Sequence, residues 1–209
     1  MTFQIQRGFS DEQRPAIAQV YWAAFSRKLA PILGDSARTL AVLAETFDPA
    51  ACLIAVDDEG RIMGVSGIEY EDGQFLRYRL SVMRAHYGSI GGVIRWLVMQ
   101  VIHTAGDGKT VYISGLAVHP DARGQGVGSL LIEAVTAIAR ERSYDAVKLD
   151  VVDSNDDARR LYERLGFRAV RTARYPFLSP LGFTGVTTMV KPISLTIVSG
   201  HPSRATPPR

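Results

Sequence analysis

The stretch VYISGLAVHPDARGQGVG, residues 111–128, decides how the chain folds. It opens with Val111–Val118, an apolar run with the length and branched composition of a buried strand. His119-Pro120-Asp121-Ala122 interrupts that run. Arg123-Gly124-Gln125-Gly126-Val127-Gly128 then leads into Ser129–Arg142, whose apolar residues recur at helical spacing. A glycine-rich turn between strand and helix suits an anion, because the first amides of a helix lack internal partners and sit at the positive end of its dipole. A purely steric role for the glycines is the other reading of the turn taken alone.

Two rival phosphate motifs fail on spacing. A dinucleotide fingerprint needs glycine where Ser129 stands. Gly108-Lys109-Thr110 is not a P-loop, since His103 stands where a glycine is required and a strand, not a helix, follows the lysine.

Downstream, Ala146–Val152 reads as a strand and Asp156–Leu165 as a short helix stopped by Gly166. Two further strands are expected at Phe167–Arg174 and Thr184–Lys191, around a loop with Pro176, Pro180 and Gly182. Upstream, Phe3, Ile5 and Phe9 suggest a first strand. Ser10-Asp11-Glu12 then starts a helix running toward Leu29, with Ile17, Val20, Tyr21 and Phe25 as its apolar stripe. A second helix spans Asp35–Phe47 and is stopped by Asp48-Pro49. Ala51–Val56 and Ile62–Tyr70 form a hairpin over Asp57-Asp58-Glu59-Gly60. Between Leu76 and Gly108 the rhythm changes, and Ile90, Val93, Ile94, Leu97, Val98, Val101 and Ile102 predict an amphipathic helix over Gly88–His103. The order is α+β: a single domain over residues 1–194, built on one central mixed sheet of six to seven strands, with a helical insertion at 76–108 between strands three and four. Residues 195–209 read as a disordered tail.

Composition narrows the function. The 209 residues are 46% hydrophobic and 22% charged, with a formal net charge of +3 and no run of Lys or Arg, so neither nucleic acid nor a membrane surface is an expected partner. Ile90–Ile102 is too short to span a bilayer and contains Arg95 and Gln100. The start lacks a signal-peptide pattern and Cys52 is the one cysteine, which together imply a cytoplasmic protein with a buried structural thiol. His86, His103, His119 and His201 are too scattered for a metal site, and none is expected.

Leu116, Val118, Arg123, Gly126 and Gly128 match motif A of the GNAT N-acetyltransferases, which this segment resembles. Ser154-Asn155, Ala158, Leu161-Tyr162 and Leu165-Gly166-Phe167 are similar to that family's motif B. The resemblance is close over Val111–Val170 and leaves Leu76–Gly108 unmatched. It implies acetyl-CoA as cosubstrate, an amine-bearing acceptor, and a gap between the strands Val111–Val118 and Ala146–Val152 for the pantetheine arm. By the same resemblance the backbone of Leu116, Ala117 and Val118 would pair with pantetheine. The amides of Arg123, Gly124, Gln125, Gly126, Val127, Gly128 and Ser129 would hold the pyrophosphate. Asn155 and Tyr162 would face the pantetheine and sulfur. Asn155 also suits a helix N-cap, and Tyr162 also suits a core stripe with Ala158, Leu161 and Leu165. Arg159 and Arg160 read as solvated helix charges.

Acetyl transfer to an amine requires a neutral nitrogen, a donor for the developing oxyanion and a donor for the departing sulfur. A strand amide near Val118 suits the oxyanion and the Tyr162 phenol suits the sulfur. The base is where the chain departs from the family. Ser114 and Tyr112 occupy the positions, two and four residues before the strand leucine, where members often carry glutamate or histidine. Glu69 or Glu71, acting through water, is one alternative, and the same two carboxylates simply facing solvent is the other. His119 reads as a loop residue. The missing base leaves a CoA-binding regulatory module as the rival function. The amphipathic helix is expected to pack on the sheet, to line an acceptor pocket through Trp96 and Met99, or to pair two subunits into a homodimer.

Overall fold

Seven strands form one mixed sheet in a computed structural model that describes residues 2–34, 36–70, 73–102 and 108–193. They are β1 (Gln4–Arg7), β2 (Cys52–Val56), β3 (Ile62–Glu69), β4 (Thr110–Val118), β5 (Ala146–Val152), β6 (Arg168–Arg174) and β7 (Gly185–Pro192), in the spatial order β1-β2-β3-β4-β5-β7-β6. β4 and β5 pair in parallel, as a crossover helix between them requires, and the other neighbours are antiparallel. The expected sheet and the insertion between its third and fourth strands are both present. Glu71, His103 and the expected tail at 195–209 lie outside the described residues.

Helices cover both faces. α1 (Arg14–Leu33) and α2 (Ser36–Thr46) bury Ile17, Val20, Tyr21, Leu33 and Leu43 in a cluster that includes Val65 and Phe75. On the opposite face α5 (Val127–Glu141) and α6 (Asp156–Arg164) bury Leu131, Ile132, Val135 and Tyr162 against Val111, Ile113 and Leu149. The helix expected from Ser10 begins with a separate turn. Ser10 and Gln13 satisfy each other's backbone in a capping box over Asp11–Gln13, and α1 then starts at Arg14 with Pro15 in its first turn. α5 starts at Val127, two residues earlier than the periodicity suggested, because Gly126 takes the left-handed conformation (φ 86°) that sets the helix off.

A bulge in the centre of the sheet positions the site. β3 and β4 pair Gly67 with Gly115 and then Ile68 with Ile113, so Ser114 is an extra residue on β4. A bulge bends its strand. On the other edge of β4 the ladder with β5 ends at the same place, its last pair being Ile113 with Leu149. From there β4 and β5 diverge, while β5 stays paired to β7 as far as Val152. Gly67 is required here, since a Cβ would lie 2.2 Å from the Phe75 ring and 2.9 Å from Ser114 Oγ.

The insertion is two helices, α3 (Leu80–Tyr87) and α4 (Ser89–Ile102), where one was expected. α3 is short, and Arg84 and His86 obscure an apolar side of two buried residues, Val82 and Met83. α4 packs mainly on α3 and only lightly on α1, so the expectation that it covers the sheet is corrected. Gly92 explains the close approach: a Cβ there would sit 2.6 Å from the Met83 carbonyl oxygen. Ile90, Ile94 and Leu97 of α4 stay largely exposed. No helix among the described residues is long and apolar enough to cross a membrane.

Candidate active site

The glycine-rich turn joins β4 to α5, and two of the amides expected to be available are bonded inside it, Arg123 N donating to Pro120 O and Gln125 N to Ala122 O. Gly124 (φ 72°) and Gly126 (φ 86°) take left-handed conformations that favour glycine, and the space where their side chains would stand is open. Leu130 N donates to Gly126 O as the first internal bond of α5, so the amides of Val127, Gly128 and Ser129 precede the helical ladder. Gly128 is needed for a different reason, because a Cβ would press within 3.2 Å of Leu161 on α6. Gln125 Nε2 donates to Asp121 O at 2.6 Å, and His119 Nδ1 accepts from Asp121 N, so both side chains brace the turn. His119 is therefore a capping residue, as its loop position suggested.

The open edge of β4 faces the same gap. His119 N donates to Met63 O on β3, and amides alternate in direction along a strand, so the amides of Val118 and Leu116 point away from β3 toward the divergence from β5. These free amides, the open glycine turn and the gap fit a long, pyrophosphate-linked thioester cosubstrate. Asn155 caps α6, its Oδ1 accepting from Ala158 N at 3.2 Å, and its amide group remains exposed. Tyr162 is 8% exposed and lies beside Phe167. Burial pushes its phenol up to about 12, and no hydrogen bond holds it among the described residues. Arg159 pairs with Glu163 and Arg160 with Asp157, in keeping with solvated helix charges.

On the α1 face of the bulge lies a cavity of about 110 Å³, lined among others by Tyr21, Phe25, Lys28, Tyr78, Met99 and Ser114. Glu69 and Tyr112 also line it, directly opposite each other on β3 and β4. Glu69 does not face water: it is 3% exposed. Burial raises its carboxyl from the ordinary 4.5 to about 7, a shift that the neighbouring Ser114 hydroxyl partly opposes. A carboxyl that titrates near neutrality inside a cavity is the usual state of a general base. The Tyr112 hydroxyl donates to Asp150 Oδ2 at 3.1 Å, and Thr188 Oγ1 donates to Asp150 Oδ1 at 2.6 Å. Asp150 is thus fixed just past the last β4–β5 pair.

Sequence reasoning brought Glu69 forward only as one of two carboxylates on a strand face, and it passed over Lys28, Tyr78, Tyr112 and Asp150 as site residues. Alternation along β3 was the one available signal for Glu69. The other four come together only through α1, the insertion and the strand register. Met99 reaches the cavity as envisaged. Trp96 instead donates its indole N–H to Tyr78 O and holds that segment in place.

A mixed sheet opened between its parallel strands above a glycine-rich helix start defines the fold class. The chain belongs to the acetyltransferase (GNAT) family, whose model matches residues 14–167. It is 35% identical over 72 residues to a thialysine N-epsilon-acetyltransferase of Sus scrofa, a match that takes in 34% of this chain and 42% of that one. It is 30% identical over 122 residues to a mycothiol acetyltransferase of Clavibacter sepedonicus, covering 58% of this chain and 28% of that one. The chain thus spans less than half the length of either relative. In fold it is similar to the structure described as histone acetyltransferase HPA2 and related acetyltransferase from Corynebacterium glutamicum. That match has a TM-score of 0.65 and 22% identity, and covers 95% of this chain and all of the other.

Proposed function

We propose that this protein transfers an acetyl group from acetyl-CoA to a primary amine by direct attack, with Glu69 as general base. Acetyl-CoA supplies the activated acetyl group. The amides of Gly124, Gly126, Val127, Gly128 and Ser129 would hold its pyrophosphate, flanked by Arg123 and Gln125, whose own amides are bonded within the turn, and the backbone of Leu116, Ala117 and Val118 would hold its pantetheine. Asn155 would border the same gap. The buried Glu69 beside the bulge carries this reading: it gives the chain a proton acceptor that positions 112 and 114 lack.

An acceptor reaches the cavity as an ammonium, and Glu69 takes its proton, which leaves a neutral nitrogen able to attack. The Val118 amide is aimed to receive negative charge developing on the acetyl oxygen. Tyr162 donates a hydrogen bond to the departing sulfur. Its phenol, at about 12, is less acidic than a thiol of reference pKa about 8.5, so it stabilises the sulfur's charge without full proton transfer. The rival reading, a regulatory CoA-binding module, drew its support from the missing base, and Glu69 removes that support.

The test is thiol release from acetyl-CoA with a panel of primary amines, run alongside Glu69→Gln and Tyr162→Phe. Acceptor-dependent release that collapses in the Glu69 variant is expected. Equal release by Glu69→Gln and wild type would dismiss the assigned base.

A further inference from the structure

Pairing register lines up a row of side chains across five strands. Glu69 on β3 lies opposite Tyr112 on β4, Tyr112 beside Lys148 on β5, Lys148 opposite Val190 on β7, and Val190 opposite Arg168 on β6. Laterally paired residues project to the same face of a sheet, so Lys148 and Arg168 stand on the face that carries Glu69. The next row places Asp150, Thr188 and Arg171 together on that face. α1 packs over β3 and β4 there and brings Lys28 to the cavity wall and to Asp150.

The charge balance of this surface is cationic. Asp150 is its exposed carboxylate, already bonded by the hydroxyls of Tyr112 and Thr188 and attracted to Lys28. Lys148, Arg168 and Arg171 have no ion-pair partner among the described residues. Arginines on β6 can be explained as protection of an edge strand. Lys148 cannot, because β5 is an inner strand between β4 and β7 and the lysine is half-buried. Lys28 is an exposed residue whose ammonium nonetheless sits where burial lowers its pKa and Asp150 partly restores it. Tyr78 lines the cavity, and its hydroxyl, closed off from solvent, has no hydrogen-bond partner among the described residues.

We infer that the acceptor is a carboxylate-bearing amine, whose nitrogen meets Glu69 while its carboxylate is received by Lys28 and Lys148. The inference rests on the transferase reading and deepens it. Lys148 stands two strand spacings, about 10 Å, from Glu69, and ε-aminocaproate is a simple molecule of that reach. A diamine would bring a second cation against Lys28 and Lys148. A plain alkylamine would leave Lys148 without a counter-charge.

The experiment is calorimetric titration of the CoA-bound protein with ε-aminocaproate, its carboxamide, hexylamine and cadaverine. CoA without the acetyl group lets binding be read apart from turnover. The carboxylate is expected to bind about tenfold more tightly than the carboxamide, the scale of one charge-assisted contact. The preference should shrink toward parity in Lys148→Gln and Lys28→Gln and weaken with added salt. Equal binding of carboxylate and carboxamide, tighter binding of cadaverine, or no binding by any of the four would overturn the inference. A Lys-Glu-Glu peptide separates sources: a further gain that disappears in Arg168→Gln assigns the carboxylates to a peptide, and no gain assigns them to a free amino acid. Thiol release on the same samples reports the transferase reading separately. Carboxylate preference without turnover would sink that reading alone, and turnover without the preference would sink this one.

Discussion

Replacing Glu69 by glutamine tests the site through stability as well as turnover. The folded carboxyl titrates at about 7 against an ordinary 4.5. At about 1.4 kcal/mol per unit this corresponds to about 3 kcal/mol, and allowing for solvent that reaches the carboxyl through the cavity brings it to about 2 kcal/mol. The sign follows from proton binding. Below pH 4.5 the carboxyl is protonated in both folded and unfolded chains and contributes no difference. Between 4.5 and about 7 the unfolded chain ionises first, so the folded state loses stability as pH rises, and above about 7 the loss is constant. Glutamine keeps the shape without the charge. The variant should therefore exceed the wild type at about pH 8 by about 2 kcal/mol, or roughly 4–8 °C in Tm for a chain of this size, and show no such gain at about pH 4.5. Over the same change kcat/KM should fall by about 10²–10⁴, and the wild type's loss of rate on acidification through about 7 should be absent from the variant. Thermal melts and thiol-release assays at both pH values decide it. A variant that turns over like the wild type, or that is no more stable at the higher pH, would refute the reasoning.

Gly126→Ala forces a side chain into a left-handed conformation (φ 86°) at the start of α5, so acetyl-CoA affinity by calorimetry should drop and stability should fall by about 1–2 kcal/mol. Tyr162→Phe removes a hydroxyl that holds no partner among the described residues, so melting should be nearly unchanged while kcat falls by about tenfold or more and acetyl-CoA affinity stays close to wild type. Gly92→Val drives a side chain into the α3 backbone, 2.6 Å from Met83 O; a loss of about 1–3 kcal/mol is expected, with KM for the acceptor rising and acetyl-CoA affinity holding.

The half of the candidate site proposed for the cosubstrate was legible because local chemistry makes it. A strand, two left-handed glycines and a helix start lie within residues 111–129, and their conformations depend mostly on neighbours in the chain. The Asn155 cap is equally local, its partner Ala158 being three residues away. The acceptor half was not legible in that way. Lys28, Glu69, Tyr78, Met99 and Tyr112 come from α1, β3, the insertion and β4, and they share one cavity only after those elements pack. α3 stayed hidden because a helix of eight residues with two buried positions gives too little periodicity to read.

Sequence by itself determined the order of elements outside the insertion, the glycine turn and the family to which these belong, since each rests on short-range backbone preferences. It also placed Glu69 on a strand face but left its surroundings open. Tertiary structure decided that this face is covered. Packing α1 and the segment before α3 over β3 and β4 removes water from the carboxyl, and desolvation, which no local pattern encodes, moves it from an ordinary acid to a group that can exchange a proton near neutrality. The bulge at Ser114 was likewise a matter of register between strands more than forty residues apart, and it sets the point where β4 leaves β5 and the cosubstrate gap begins.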